Sequence, residues 1–395
     1  MDIAAKIILR SGKDQSLARF HPWVFSGAIK KMHGNPLEGD LVKVYDNKDN
    51  YLATGHFQPG SIAVRILTFR DETIDDDFWE KRIIAAWTLR DQHIISRNSV
   101  TNVFRLINAE GDGFPGLICD FYNGTLVMQA HSYGMYLIRQ KLAALFKKVL
   151  GELLYAVYDK SSTTLSFKSP GEKADGFIIG NEENSPVTEN GIRFFVDYKE
   201  GQKTGFFIDQ RDNRQLLRQY ALKRNVLNMF CYTGGFSIYA LDGGANLVHS
   251  VDTSKPAIDM TQRNVDINFP GTSRHQAYTT DAFAFLDAPP ERYDLIVLDP
   301  PAFAKHHNVL HNALQGYKRL NMKAFSMIQP GGILFTFSCS QVVNRENFRK
   351  SVFAAAANAN RQVKILHQLS QPPDHPVSIY HPEGEYLKGL VLYVG

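Results

Sequence analysis

Val226-Leu227-Asn228-Met229-Phe230-Cys231-Tyr232-Thr233-Gly234-Gly235-Phe236-Ser237 is the stretch that decides the fold. An apolar, β-prone run gives way to a short polar turn, and two adjacent glycines then open a helix. Paired glycines let the backbone turn tightly while approaching a ligand closely. Working outward, strand-like runs recur at Val226 to Phe230, Leu247 to Asp252, His275 to Asp281, Tyr293 to Asp299 and Ile333 to Cys339. Helical patterns begin near Gln210, Gly235, Lys255, Asn312 and Arg345. Alternation of this kind predicts an α/β fold, a Rossmann-like doubly wound sheet that is mainly parallel with helices on both faces. We assign it to residues 186–395.

Two more modules precede it. Residues 1–72 read as short strands (Ile7 to Leu9, Trp23 to Phe25, Asp40 to Tyr45, Tyr51 to Phe57, Ala63 to Phe69) separated by Gly, Pro and Asn turns, a small β barrel or sandwich. The acidic run Asp71 to Asp77 then supplies cap and dipole-matching charges to a helix from about Phe78 to Arg97. Over 73–185 the pattern is that of a small α+β module, with a helix at Ile138 to Leu150 and a linker at Glu182 to Pro186.

Composition narrows the class. Hydrophobic content of 44% with 21% charged residues is that of a soluble globular protein, and no run is long enough to span a membrane. The N-terminus lacks a signal-peptide pattern, and three scattered cysteines argue against both a disulfide framework and a zinc site. A cytoplasmic location without metal or membrane partner is expected, and the chain permits a homodimer. Residues 1–70 hold ten Lys/Arg against six Asp/Glu, which is the whole formal excess of +4. A nucleic-acid-docking module would carry charge this way, and so would an ordinary solvated surface.

In open α/β sheets, ligands bind beyond the carboxyl ends of the strands. The G-x-G-x-x-G turn that seats a pyrophosphate is absent after the first strand, which favours a ligand without one; S-adenosylmethionine (SAM) is the candidate. Asp252 ends the second strand, where a carboxylate can accept from both ribose hydroxyls. Asp281 ends the third, where it can accept from an adenine amino group. Each acid alone reads as a helix N-cap; with the Gly-Gly turn, the set points to a cofactor.

At this point a resemblance becomes specific. Glu200 to Arg211 (EGQKTGFFIDQR), NMFCYTGGFS, VDTS, TTDA, DPPAF and FSCS occur in the order found in one bacterial family. The chain closely resembles the PUA-domain ribosomal RNA large subunit methyltransferase I family, SAM-dependent enzymes that make 5-methylcytosine in 23S rRNA. His21 to Gly27 and Gly39 to Val44 look like its PUA domain, a small RNA-binding β barrel, so the similarity spans essentially the whole chain. The resemblance implies a class I SAM methyltransferase domain whose cofactor would meet Thr204, Phe207, Phe230, Tyr232, Thr233, Gly234, Asp252 and Asp281. Large-subunit rRNA would be the partner, with Lys203, Arg211, Lys30 and Lys31 as candidate phosphate contacts.

Carbon 5 of cytosine is a poor nucleophile towards a methyl sulfonium, and thiolate attack on carbon 6 makes it enamine-like. Cys339 is the expected nucleophile. Asp299 would hydrogen-bond the N3/N4 edge of the base, Pro300 and Pro301 would stiffen the loop, and Phe303 would stack on a flipped base. The bland reading of Cys339 is a small buried hydrophobe. Cys231 reads as a cofactor wall and Cys119 as core. Many 5-methylcytosine enzymes carry a second cysteine after the Asp-Pro turn, where this chain has Ala302, so the base that removes the carbon-5 proton stays unassigned. Two alternatives remain: a guanine N-methyltransferase, whose related rRNA family has Asn-Asn in place of Cys339-Ser340, and a non-catalytic RNA-binding assembly factor.

Overall fold

The computed structural model describes residues 2–97, 100–165, 174–181, 185–304 and 306–395. Residues 182–184 of the expected linker lie outside that set. The chain divides into two compact units. The first comprises 1–187, 196–206 and 373–384, and the second 188–195, 207–372 and 385–395.

Among the described residues, the first unit holds two sheets, each with its own core. Its N-terminal sheet has six strands, ordered Trp23–Phe25, Ile62–Thr68, Tyr51–Phe57, Leu41–Tyr45, Ile3–Leu9 and Ile29–His33. Its pairings are antiparallel except between Ile3–Leu9 and Leu41–Tyr45. Ile7, Leu9, Val24, Val42, Val44 and Val64 fill its core. Ile29–His33 went unread in the sequence because four of its five residues face solvent, leaving no apolar alternation. A five-stranded sheet follows, backed by helices Asp76–Arg90 and Arg139–Leu150. Asp75 caps the first of these, its carboxylate accepting from Phe78 N at 3.0 Å. Regular helix stops at Arg90 rather than continuing to residue 97; a wider turn, Asp91–Ile95, follows. The Arg90 guanidinium is fully buried and clamped by Asp112 at 2.5 and 2.7 Å.

The main sheet of the second unit has, among the described residues, seven strands: β1 (Asn225–Met229), β2 (Leu247–Asp252), β3 (His275–Thr279), β4 (Leu295–Leu298), β5 (Gly332–Ser338), β6 (Val363–Leu369) and β7 (Lys388–Val394). Their order in the sheet is β3-β2-β1-β4-β5-β7-β6, with β7 antiparallel to both neighbours. Six helices accompany them: α1 (Arg211–Tyr220), α2 (Gly235–Asp242), α3 (Lys255–Asn268), α4 (Ala282–Asp287), α5 (Leu310–Met327) and α6 (Arg345–Asn358). Strand order reverses between β1 and β4, the topological switch point at which open α/β sheets bind ligands. Leu227, Met229, Leu298, Leu320, Phe325, Phe348 and Leu392 are among the buried side chains of one continuous core. Neither α4 nor the β6–β7 pair was marked by the sequence patterns. Six residues are too few to show a helical period, and β6 mixes exposed Lys364, Ile365 and Leu366 without alternation.

Candidate active site

Parallel pairing sets Met229 opposite Val251 on one side and Leu298 on the other, and Leu298 opposite Thr336. The carboxyl ends of β1, β2, β4 and β5 therefore open on one edge of the sheet. From β1 the chain passes through three left-handed residues, Phe230 (φ 58°), Tyr232 (φ 48°) and Gly234 (φ 81°). Left-handed backbone at a residue with a side chain costs about 1–2 kcal/mol, so the surroundings must impose it. Cys231 N donates to Val251 O at 3.0 Å, and Tyr232 N donates to Asp252 Oδ2 at 3.0 Å. Helix α3 grips the same turn: Thr261 Oγ1 donates to Tyr232 O (2.8 Å) and Asn264 Nδ2 to Thr233 O (3.1 Å). A Cβ on Gly234 would come within 2.7 Å of Thr261 Cγ2, which leaves room for glycine alone.

Thr233 Oγ1 is buried without a hydrogen-bond partner among the described residues. Buried polar groups are otherwise nearly always satisfied, so an orphan hydroxyl in a strained loop fits a ligand-facing group. Asp252 accepts from Tyr232 N and, at 2.9 Å, from Ser254 N, and stays half-buried. A carboxylate has about four acceptor positions, so these two bonds leave capacity for a diol. Asp281 Oδ1 accepts from Phe283 N (2.9 Å) and Ala284 N (3.0 Å), the N-cap of α4. The Phe207 ring meets Tyr232 with centroids 5.1 Å apart.

The remaining expected cofactor and RNA residues are dispersed. Thr204 belongs to the first unit, where its hydroxyl donates to Asp120 Oδ2 (2.6 Å) and accepts from the Tyr122 phenol (3.1 Å). Lys203 lies beside it, its carbonyl accepting from Gln129 Nε2 at 3.2 Å. Lys30 and Lys31 stand exposed on Ile29–His33. Arg211, by contrast, is 3% exposed and faces Glu189 at 3.6 Å. Glu189 also receives Arg214 in a two-point pair at 2.9 and 2.7 Å. Burial opposes the Arg214 charge, but the Glu189 carboxylate outweighs it and holds the guanidinium above its ordinary value.

At the β4 and β5 tips, Asp299 and Cys339 each lie just beyond the regular strand and are half-buried. The Cys339 thiol donates to Pro300 O across 3.9 Å. Gln210 Nε2 donates to Asp299 Oδ2 at 3.0 Å, and Asn213 Nδ2 holds Gln210 Oε1 at 2.6 Å. The Tyr317 hydroxyl accepts from Ser338 Oγ (2.9 Å) and lies 3.1 Å from Ser340 Oγ, which in turn accepts from Ala304 N at 3.3 Å. This stitching ties the Pro-Pro loop to the end of β5. Phe303 packs on Tyr317 with centroids 4.7 Å apart, half-buried.

Burial distinguishes the three thiols. Cys119 and Cys231 are enclosed, and burial raises both thiols well above the ordinary range, keeping them protonated and inert. Cys339 alone of the three is partly exposed. Gln210, Tyr317 and Lys388 (whose Nζ donates to Ser340 O at 2.7 Å) were not singled out in the sequence. Asp209-Gln210-Arg211 had the pattern of a helix start, which hid the amide's approach to Asp299. Among the described residues no cluster of His, Cys, Asp and Glu could hold a metal ion, and no helix is long and apolar enough to cross a membrane.

Residues 120–388 match the family model described as S-adenosylmethionine-dependent methyltransferase, and residues 7–69 match a PUA-like domain. The chain is 42% identical over 393 residues to a protein of Aeromonas salmonicida (strain A449) named ribosomal RNA large subunit methyltransferase I, covering 98% of each. It is 41% identical over 398 residues to the protein of that name from Pseudoalteromonas atlantica, covering 99% of this chain and 100% of the relative. Among solved structures, a candidate SAM-dependent methyltransferase from Streptococcus mutans superposes with TM-score 0.84 at 22% identity, covering 98% and 99%. Another candidate methyltransferase, complexed with S-adenosylhomocysteine, superposes at 0.85 and 23% with the same coverage. At these identities the two structures show a shared fold.

Proposed function

Since the chain belongs to the family of SAM-dependent methyltransferases that includes ribosomal RNA large subunit methyltransferase I, we propose that it methylates carbon 5 of a cytosine in large-subunit (23S) rRNA through a covalent adduct on Cys339. The observation that carries this reading is the pair at the β4 and β5 tips: a partly exposed thiol in contact with the carbonyl of Pro300, next to Asp299. Guanine N-methylation has no use for a thiol there.

In this reading the Phe230 to Gly234 loop, Phe207, Asp252 and Asp281 hold the methyl donor, Phe207 packing on Tyr232. The bound donor supplies an electrophilic methyl group on a sulfonium. Cys339 Sγ attacks carbon 6, forming the S–C6 bond and passing the ring's electron pair to carbon 5. Carbon 5 would take the methyl carbon as the methyl–sulfonium bond breaks and the donor leaves as a neutral thioether. The carbon-5 proton then leaves to a base, its C–H electron pair re-forms the C5–C6 double bond, and the S–C6 bond breaks to return the thiolate. Asp299 fixes the N3/N4 edge, its carboxyl group sharing a proton with N3 so that the negative charge built up by thiolate attack is met there. Gln210, held by Asn213, keeps that carboxylate aimed at the base. The PUA module at 1–72 engages RNA through phosphates, with Lys30 and Lys31 as contacts, while 73–185 forms the α+β module and 186 onward the catalytic module. The enzyme would work in the cytoplasm on rRNA.

The test is direct. Cys339→Ala should bind SAM with unchanged affinity in calorimetry and lose 5-methylcytosine formation on rRNA, read by mass spectrometry. Retained transfer would sink the covalent mechanism.

A further inference from the structure

Lys388 opens β7 with only 3% of its surface exposed. Its backbone is paired with Ser338 in the β5–β7 ladder, and its Nζ donates to the carbonyl of Ser340 at 2.7 Å. Those two contacts straddle Cys339, so the four-carbon stem of the lysine runs alongside the thiol-bearing residue. Lysine is almost never fully buried unless it is paired, and a carbonyl is a neutral partner. The charged groups around it come from several elements. Arg345 and Glu385 bind one another, Arg345 Nε donating to Glu385 Oε1 at 2.6 Å, and so largely cancel. Tyr317 lies over Ser338 and Ser340 and stays a neutral phenol, its acidity reduced by burial. Asp299 ends the neighbouring strand in contact with Gln210.

We propose that Lys388 is a positioning residue that holds Cys339 as a thiolate, its buried ammonium offsetting the negative sulfur while Ser340 O fixes where that charge sits. The inference rests on Cys339 being the nucleophile. Burial pulls the lysine down to about 8, and Cys339 is the strongest of the neighbouring groups that favour its charged form. What favours the ammonium beside a sulfur favours the thiolate by the same amount, because the coupling is reciprocal. At neutral pH the lysine is still mostly protonated. The thiol proton leaves to water on the exposed side of Cys339. Above about pH 8 the lysine discharges and its support for the thiolate fades.

The experiment follows alkylation of Cys339 by iodoacetamide against pH, in the full-length protein without RNA, with the Cys339 peptide quantified by mass spectrometry. The wild-type midpoint should lie below the roughly 8.5 of a free thiol. Lys388→Gln retains a donor for Ser340 O but no charge, and should raise the midpoint by about 1 unit, slowing alkylation at pH 7 about tenfold. Lys388→Arg should restore the wild-type profile. Coincident wild-type and Gln profiles overturn the proposal. If the Gln variant does not fold, a wild-type midpoint at or above about 8.5 overturns it instead. The readout needs no catalysis, so the two ideas fail separately. A wrong nucleophile shows as transfer by Cys339→Ala with the Lys388 shift intact. A wrong lysine role shows as transfer lost in Cys339→Ala with no shift in the Lys388 variants.

Discussion

Gly234 and Asp299 carry different burdens at the active edge. Gly234 is required by geometry, since its φ of 81° and the 2.7 Å approach to Thr261 both exclude a side chain. Gly234→Ala should therefore cost about 1–3 kcal/mol, seen as a lower urea midpoint at unchanged slope, and should weaken SAM binding. Asp299 follows β4, and its carboxylate accepts from the Gln210 side chain at 3.0 Å. Asp299→Asn should leave stability and SAM affinity near wild type while slowing methyl transfer by about 10²–10³-fold, the usual loss of one group aimed at developing charge. An equal loss of SAM affinity would move Asp299 from the base to the cofactor. Cys339, Asp299 and the Tyr232 to Gly234 loop were all legible in the sequence, because each sits at the end of an apolar run. Gln210 and Lys388 were not, because nothing local marks a side chain that acts on a residue far along the chain.

At the scale of elements, Asp281 and Glu189 separate structural from ligand-facing roles. Asp281 caps α4 with one oxygen taking two backbone amides. Asparagine caps helices about as well as aspartate, so Asp281→Asn should leave the melting temperature unchanged. A drop in SAM affinity in that variant then reports a cofactor contact, and no change leaves only the cap. Glu189 is fully buried and serves the two arginines of α1, Arg211 and Arg214. Glu189→Gln leaves buried positive charge without its carboxylate and should cost about 3–5 kcal/mol, measurable as thermal destabilisation. Element positions in the second unit followed the sequence for β1 to β5 and for the helices that begin near Gln210, Gly235, Lys255, Asn312 and Arg345, while the apolar run of β7 and the Asp281 cap of α4 went unused. They were missed where an edge strand such as Val363–Leu369 exposes apolar side chains, or where α4 is too short to show a period.

For the whole molecule, the charge distribution sets the expected RNA behaviour. All of the formal excess lies in residues 1–70, where Lys30 and Lys31 stand exposed. RNA affinity should fall with salt at a log–log slope of about −0.7 per phosphate engaged, and Lys30→Ala combined with Lys31→Ala should flatten that slope by about 1–2. Filter binding across roughly 50–200 mM salt reads it directly, and a salt-independent affinity would contradict docking through phosphates. By itself the sequence determined the α/β class, the Gly-Gly turn after β1 and, to within a residue or two, where the first five strands of the second unit end, because periodicity and turn chemistry are local. Tertiary structure alone decided that residues 373–384 pack with the first unit, that Thr204 bonds Asp120, that Gln210 meets Asp299 and that Lys388 bonds the carbonyl of Ser340. Gln210 and Asp299 are 89 positions apart and Lys388 and Ser340 are 48 apart. Only the order in which strands enter a sheet brings such partners together, and no local pattern encodes that order.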